Sequence, residues 1–423
     1  MQRKLAYALS PAPQLPLVFL LTAPWFALLA ALVLLWTGES ALVSRWATPT
    51  LAITHLLTLG YLSMAMAGSM LQLIPVVTGT AAVLSRSAAA LAWSALSLGT
   101  ILLSLALGRN LAALFVPAAA ALVVGFAPLL HCLARALQRP AAPAAMPMVR
   151  GMRMAVAALV LTLALGCLLA SGFGGWLVLP LMLLVDLHAL WGMLGWVLML
   201  VLCVAFQVVP MFQSTRLYPV LVTRWGTLAL GLALLAWSAL RVLMPAQTGW
   251  ASAALTLLLT GFAACTAWLL ARPQRKKADA STLYWRLALL SLALSALLVQ
   301  LPSSDRLTLA TAIVFLAGFA MGVVNGMLYK IVPFLLWYHL QQDARARKGT
   351  VPALRDVLAD DSARRQFWCH CAALGALLAG VWLPALFARP AALLLAAASA
   401  LLATGLLRAT LRCRAIQRAL QPS

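Results

Sequence analysis

Gly60-YLSMAMA-Gly68-SML-Gln72-LI-Pro75, Gly195-WVLMLVL-Cys203-VAF-Gln207-VV-Pro210 and Gly318-FAMGVVN-Gly326-MLY-Lys330-IV-Pro333 share one pattern. Each has a small residue eight positions after its first Gly, a long polar side chain at twelve and a Pro at fifteen. The copies start 135 and 123 residues apart (60 to 195, 195 to 318) and align without gaps. Gln and Lys are rare inside apolar helices, so chance likeness among Leu/Val/Ala-rich segments explains a threefold match poorly.

Composition fixes the solvent. Of 423 residues, 64% are hydrophobic and 9% charged, with a mean hydropathy of +1.00. A soluble chain has about a quarter of its residues charged. Soluble, disordered and nucleic-acid-binding classes are excluded, and continuous apolar runs exclude a β-barrel. The expected fold is an all-α polytopic membrane protein. A span needs about 20 apolar residues. By that ruler twelve segments lie near 15–37, 50–77, 87–107, 110–133, 153–173, 184–212, 223–244, 250–271, 285–302, 307–338, 367–387 and 391–411. The repeat falls on spans 2, 6 and 10. The chain then divides into three pseudo-symmetric groups of four spans, 1–140, 141–276 and 277–423, forming one membrane domain.

The net charge of +22 follows from topology. Of the 30 Lys and Arg, 24 fall on one side of these spans and 5 on the other, with Lys330 inside a span. The positive-inside rule puts both termini in the cytoplasm of a bacterial-type inner membrane. No nucleic acid or other anionic partner is required. The N-terminus leads into a full-length span without a small-residue cleavage site, so no cleavable signal peptide is expected. The seven Cys are scattered and do not read as a disulfide framework. From Trp176 to Phe212 the chain is almost wholly apolar, and one helix there would be ~56 Å long, beyond a bilayer. A break at Pro180 is expected, with 176–183 on the outer surface.

The repeat suits a central triad of helices. Small residues permit close approach. Each Pro frees a carbonyl near the inner end of its span. Gln72, Gln207 and Lys330 sit about one turn before that Pro, where facing lipid is costly, so they are expected to face the bundle interior.

Twelve spans in three groups of four resemble subunit I of the heme-copper oxidases. In that family a His on span 2 and a His on span 10 hold a low-spin heme, and a His on span 6 with a His pair on span 7 holds copper. His55, in His55-LLTLGYLSMAMAGSMLQLIP, is similar to the span-2 heme ligand. His188, in Asp186-Leu187-His188-ALWGMLGW, is similar in position to the span-6 copper ligand. The resemblance implies heme, copper or both as cofactor, and a c-type cytochrome or another respiratory subunit as partner. The departures are plain. Span 10 has no His at matching depth, span 7 has no His pair, and no Tyr accompanies His188 at the family spacing. The chain looks like a divergent relative, similar to the twelve-span heme- and copper-containing proteins associated with denitrification and nitric-oxide stress.

The ionisable residues carry competing readings. His55 and His188 lie five and seven residues before their repeat Gly, an offset of about 3 Å of helix rise. Two imidazoles at one depth can ligate iron or copper. They can equally hydrogen-bond between helices. Asp186 reads as an N-cap of span 6 or as a carboxylate orienting His55. Lys330 either snorkels to the inner surface or makes an axial proton or anion site. His339 reads as an interfacial anchor beside Trp337 and Tyr338, and His131 as interfacial. Cys369-His370-Cys371 invites a copper reading, but residues i and i+2 of a helix point ~200° apart. No Walker loop, dinucleotide Gly motif or CxxCH is present.

The favoured function is a heme- or copper-binding membrane protein of respiration or nitric-oxide handling. The missing oxidase ligands leave open whether it is an oxidoreductase. A cofactor-free twelve-span permease and a non-catalytic assembly subunit on the oxidase scaffold are the alternatives.

Overall fold

The computed structural model describes residues 11–79, 84–139, 141–274, 279–346 and 351–419. Among these the chain is helical and has no strand. The long helices, numbered in chain order, begin with α1 Gln14–Thr37, α2 Thr48–Thr78, α3 Arg86–Arg109 and α4 Phe115–Gln138. The middle of the chain forms α5 Met146–Phe173, α6 Leu181–Gln213, α7 Val220–Leu243 and α8 Thr248–Ala271. The last four are α9 Ala280–Leu298, α10 Asp305–Gln342, α11 Asp360–Trp382 and α12 Pro384–Ala419. Span n of the sequence corresponds to αn.

Local chemistry sets the ends. Ser85, Asp279 and Ser304 cap α3, α9 and α10 by accepting a backbone N–H three residues on. Asn110 and Ser214 end α3 and α6 with left-handed φ of 53° and 50°. Pro180 stands at the start of α6, so the long apolar stretch is broken there, as expected.

Eleven of these helices are long and apolar enough to cross a membrane. The exception is α11, whose first half carries Asp360, Asp361, Arg364, Arg365, Gln366 and His370. The expected span 367–387 is corrected accordingly. The helix starts at Asp360 and turns at Leu383-Pro384.

The outer helices pack largely on their sequence neighbours, α3 on α4, α7 on α8 and α11 on α12, and α1 closes against α12. The repeat-bearing helices sit deepest. In α2, α6 and α10, 67% of the most apolar window is buried, against 22–56% in the other eight. They converge on an axial cavity of about 120 Å³. Positions 65, 66, 69, 73 and 76 of α2 line it, together with the positions 135 and 258 residues further on in α6 and α10.

The repeat glycines explain this closeness. A Cβ on Gly60 would lie 2.3 Å from Phe26 of α1, on Gly195 2.9 Å from Ala158 of α5, and on Gly318 2.4 Å from Ser291 of α9. The small residue eight positions on makes the same partner contact. Gly68 meets Leu20 of α1, Gly326 meets Tyr284 of α9, and Cys203 meets Gly151 of α5. Each repeat-bearing helix thus lies against the helix before it across small residues.

Each repeat also contains a π-helical segment, at Leu56–Ser63, Trp191–Leu198 and Val314–Ala320. All three begin four residues before the repeat Gly. A π turn adds a residue to the helix and loosens its carbonyls. Two of these carbonyls find side-chain donors: Thr58 O accepts from Ser63 Oγ at 2.8 Å, and Ala317 O from His370 Nε2 at 3.0 Å.

Gly318→Val is expected to lower stability by about 1–3 kcal/mol through overpacking against Ser291. Gly261→Val, with nothing within 4 Å of its Cβ, is expected to be tolerated. Thermal unfolding of both variants in detergent measures the difference.

Candidate functional site

The imidazoles of His55 and His188 meet across the gap between α2 and α6. Their ring centres are 6.3 Å apart and their planes are within 19° of parallel. His55 is the residue before the α2 π segment, and His188 lies three before that of α6. His55 Nδ1 lies 2.8 Å from Leu51 O, and His188 Nδ1 lies 3.1 Å from Thr162 O of α5. A carbonyl only accepts, so each Nδ1 carries the proton and each Nε2 presents a lone pair. That is the tautomer a metal-ligating histidine needs, with its second nitrogen anchored to a carbonyl. Gly166, one turn after Thr162, leaves room for the ring. A Cβ there would stand 3.2 Å from His188 Cε1.

A metal or cofactor at this place would be held by His55 and His188 through Nε2, the nitrogen that each ring has free of a carbonyl. Beside the pair opens a cavity of about 590 Å³, which takes in Leu51 and Thr54 next to His55 and Val185 and Ala189 next to His188. It is mostly apolar, with Arg45 at its wall. Its size falls within the range of small-molecule and cofactor sites. Ile313 occupies the position in α10 equivalent to His55 and also lines this cavity, so the third repeat adds no ligand.

Asp186 is neither an N-cap nor a partner of His55, which corrects both expectations for it. Pro180 takes the N-cap position of α6. Asp186 lies within the helix and pairs with Arg241 of α7 at 2.9 Å and with Arg45 at 3.6 Å. Arg45 stacks on Trp46, 4.4 Å from the ring centre. The carboxylate thus ties α6 to α7 and to the α1–α2 connection, two residues before His188.

At the opposite end, neither Lys330 nor Gln207 lines the axial cavity. Gln72 does. Lys330 forms an ion pair with Asp279, the cap of α9. The cluster continues through Gln213, which donates to Ser281 Oγ and accepts from Thr282 Oγ1, both at 2.6 Å. Asp360 accepts from the N–H of Ala280 at 2.9 Å. The Tyr61 hydroxyl of α2 donates to Asn325 Oδ1 of α10 at 2.6 Å, with both residues buried. The readings of the sequence gave no role to Asp279, Arg241, Tyr61 or Asn325. The rarity of Asn within apolar spans was the available signal for Asn325.

The Cys369-His370-Cys371 group disperses. Cys369 Sγ lies 3.3 Å from Leu394 O of α12, while the buried His370 reaches α10. His339 packs edge-on against Tyr338 at 5.6 Å, far along α10 from the histidine pair. Among the described residues no group of three or more His, Cys, Asp or Glu is placed to hold a metal ion. No family model matches the chain, and no curated protein matches it.

Burial pushes the Asp279 carboxyl up. The Lys330 charge, with hydrogen bonds from Lys330, Ser281 and Thr282, outweighs that and holds it below the ordinary carboxylate value. A depressed pKa stabilises the fold above the unfolded-state value, and the gain is lost as pH falls through the folded-state value. Asp279→Asn keeps the cap and removes the charge. It is expected to cost about 1–3 kcal/mol at pH 7. The gap to the parent protein should close below about pH 4, as followed by thermal unfolding across pH.

Proposed function

We propose that the chain is a redox-type membrane protein in which His55 and His188 hold a heme iron or a copper ion between α2 and α6. The observation that carries this reading is the pair itself: two near-parallel imidazoles 6.3 Å apart, each with Nδ1 on a backbone carbonyl. The scaffold would be three quasi-equivalent groups of four spans, similar to heme-copper oxidase subunit I. The threefold recurrence of the Gly contacts, the π segments and the axial lining supports it. With 24 of 30 Lys and Arg on one side of the spans, both termini would lie in the cytoplasm of a bacterial-type inner membrane.

A bound heme iron or copper would supply one-electron chemistry of use in respiration or in handling nitric oxide. The chain's own residues do the rest. Leu51 and Thr162 fix the tautomer and plane of the two rings. Asp186 with Arg241 and Arg45 holds α6 at the depth where His188 meets His55. Arg45, at the wall of the cavity beside the pair, offers a cation to an acidic substituent of a bound tetrapyrrole. A c-type cytochrome or another respiratory subunit would be the electron partner.

A cofactor-free permease is the second reading. It draws on the two cavities, both of which α2, α6 and α10 line.

Colour separates the two. Protein purified from membranes is expected to show a Soret band or a stoichiometric copper content, lost in His55→Ala and His188→Ala while thermal unfolding still reports a folded protein. A folded parent protein free of iron and copper would sink the first reading. Gly166→Val is expected to weaken the metal-dependent signal at least tenfold by crowding His188, with the fold retained.

A further inference from the structure

Three methionines come to nearly one depth on the helix axis. Met66 and Met70 lie four residues apart on α2 and share a helix face. Met327 of α10 occupies the repeat position that holds Ser69 in α2. In α2 register the three stand at 66, 69 and 70, within a rise of about 6 Å. All three line the axial cavity of about 120 Å³ and are buried, at 5%, 1% and 7% exposure for Met66, Met70 and Met327. A methionine that merely fills a core gap closes it. Here the gap persists with all three on its wall, and it exceeds the roughly 10–15 Å³ that one water needs.

The chemistry of the wall selects its guest. Besides the methionines, the polar members are Gln72, Ser69 and Trp285, and the Ser69 hydroxyl is spent on Ala65 O at 2.7 Å. A hard cation such as Mg²⁺ or Ca²⁺ needs an octahedron or more of oxygens, which this wall does not supply. Thioethers are soft ligands and select Cu(I). An aromatic wall such as Trp285 adds attraction for a desolvated monocation. We propose that Met66, Met70 and Met327 form a thioether site for a soft monovalent cation, Cu(I), on the axis of α2, α6 and α10. The site is distinct from the histidine pair. Met66 lies eleven residues past His55, about 16 Å along α2.

The test uses the full-length protein in detergent under anaerobic conditions, with Ag(I) as the redox-silent probe. The parent protein and the triple variant Met66→Leu, Met70→Leu, Met327→Leu are loaded, desalted and analysed for silver. Leu conserves volume, and the unfolding midpoint checks the fold. Both proteins keep all seven cysteines, so the difference between them isolates the thioethers. The parent is expected to retain one more equivalent of silver than the variant, and to hold Cu(I) at least tenfold more tightly against a chelator. His55→Ala is expected to keep that equivalent while losing the Soret band, so the two sites fail separately. Equal silver in parent and variant overturns the proposal, as does xenon entering a cavity that refuses silver. Should the triple variant not fold, copper-edge X-ray absorption of the loaded parent and of Met327→Leu decides. Sulfur scatterers reduced in the variant support the site, and a first shell of nitrogen and oxygen alone overturns it.

Discussion

Lipid tails are as apolar as leucine, so helices in a bilayer gain little by burying apolar surface against one another. What brings them together is close packing, and close packing needs small residues. In this chain each repeat-bearing helix meets the one before it at such points: Gly60 against Phe26, Gly195 against Ala158, Gly318 against Ser291. The contact recurs eight residues later at Gly68, Cys203 and Gly326. These contacts seat α2, α6 and α10 behind an outer layer and leave them to define the axis. The histidine pair and the Tyr61–Asn325 bond are carried by these helices, and all three line both cavities.

The π segments bear on the same geometry. Each inserts a turn of altered pitch four residues before the repeat Gly, which changes the face that the preceding residues present. His55 and His188 precede two of these segments and face each other. Ile313 precedes the third and lines the neighbouring cavity instead. One backbone device, used three times, therefore holds two imidazoles and one apolar side chain at comparable depth.

Polar groups secure the two ends of the bundle. At the histidine end Asp186 gathers Arg241 and Arg45, which joins α6 to α7 and to the α1–α2 connection. At the proline end Asp279 caps α9 and receives Lys330, while Gln213 and Asp360 tie α6 and α11 to the same turn. The long apolar helices are thus fixed in relative depth by a few charged pairs and hydrogen bonds between neighbouring helices. Depth is what the histidine pair requires, because a slip of one residue moves a ring by about 1.5 Å.

The sequence by itself determined the solvent, the helical class, the number of long segments and the three copies of the repeat, because span length and composition are set by the bilayer and not by neighbours. It also singled out His55 and His188, since the offset from each repeat Gly measures depth along a helix. It did not determine what these side chains touch. Asp186 pairs with arginines 141 residues earlier and 55 later, and Lys330 with a carboxylate 51 residues earlier; which partner is chosen depends on the rotation of helices about their axes, and periodicity along one helix carries no record of that. The π segments, the orientation of the imidazole nitrogens and the axial cavity were likewise decided only when twelve helices packed, because each arises from contacts between helices far apart in the chain.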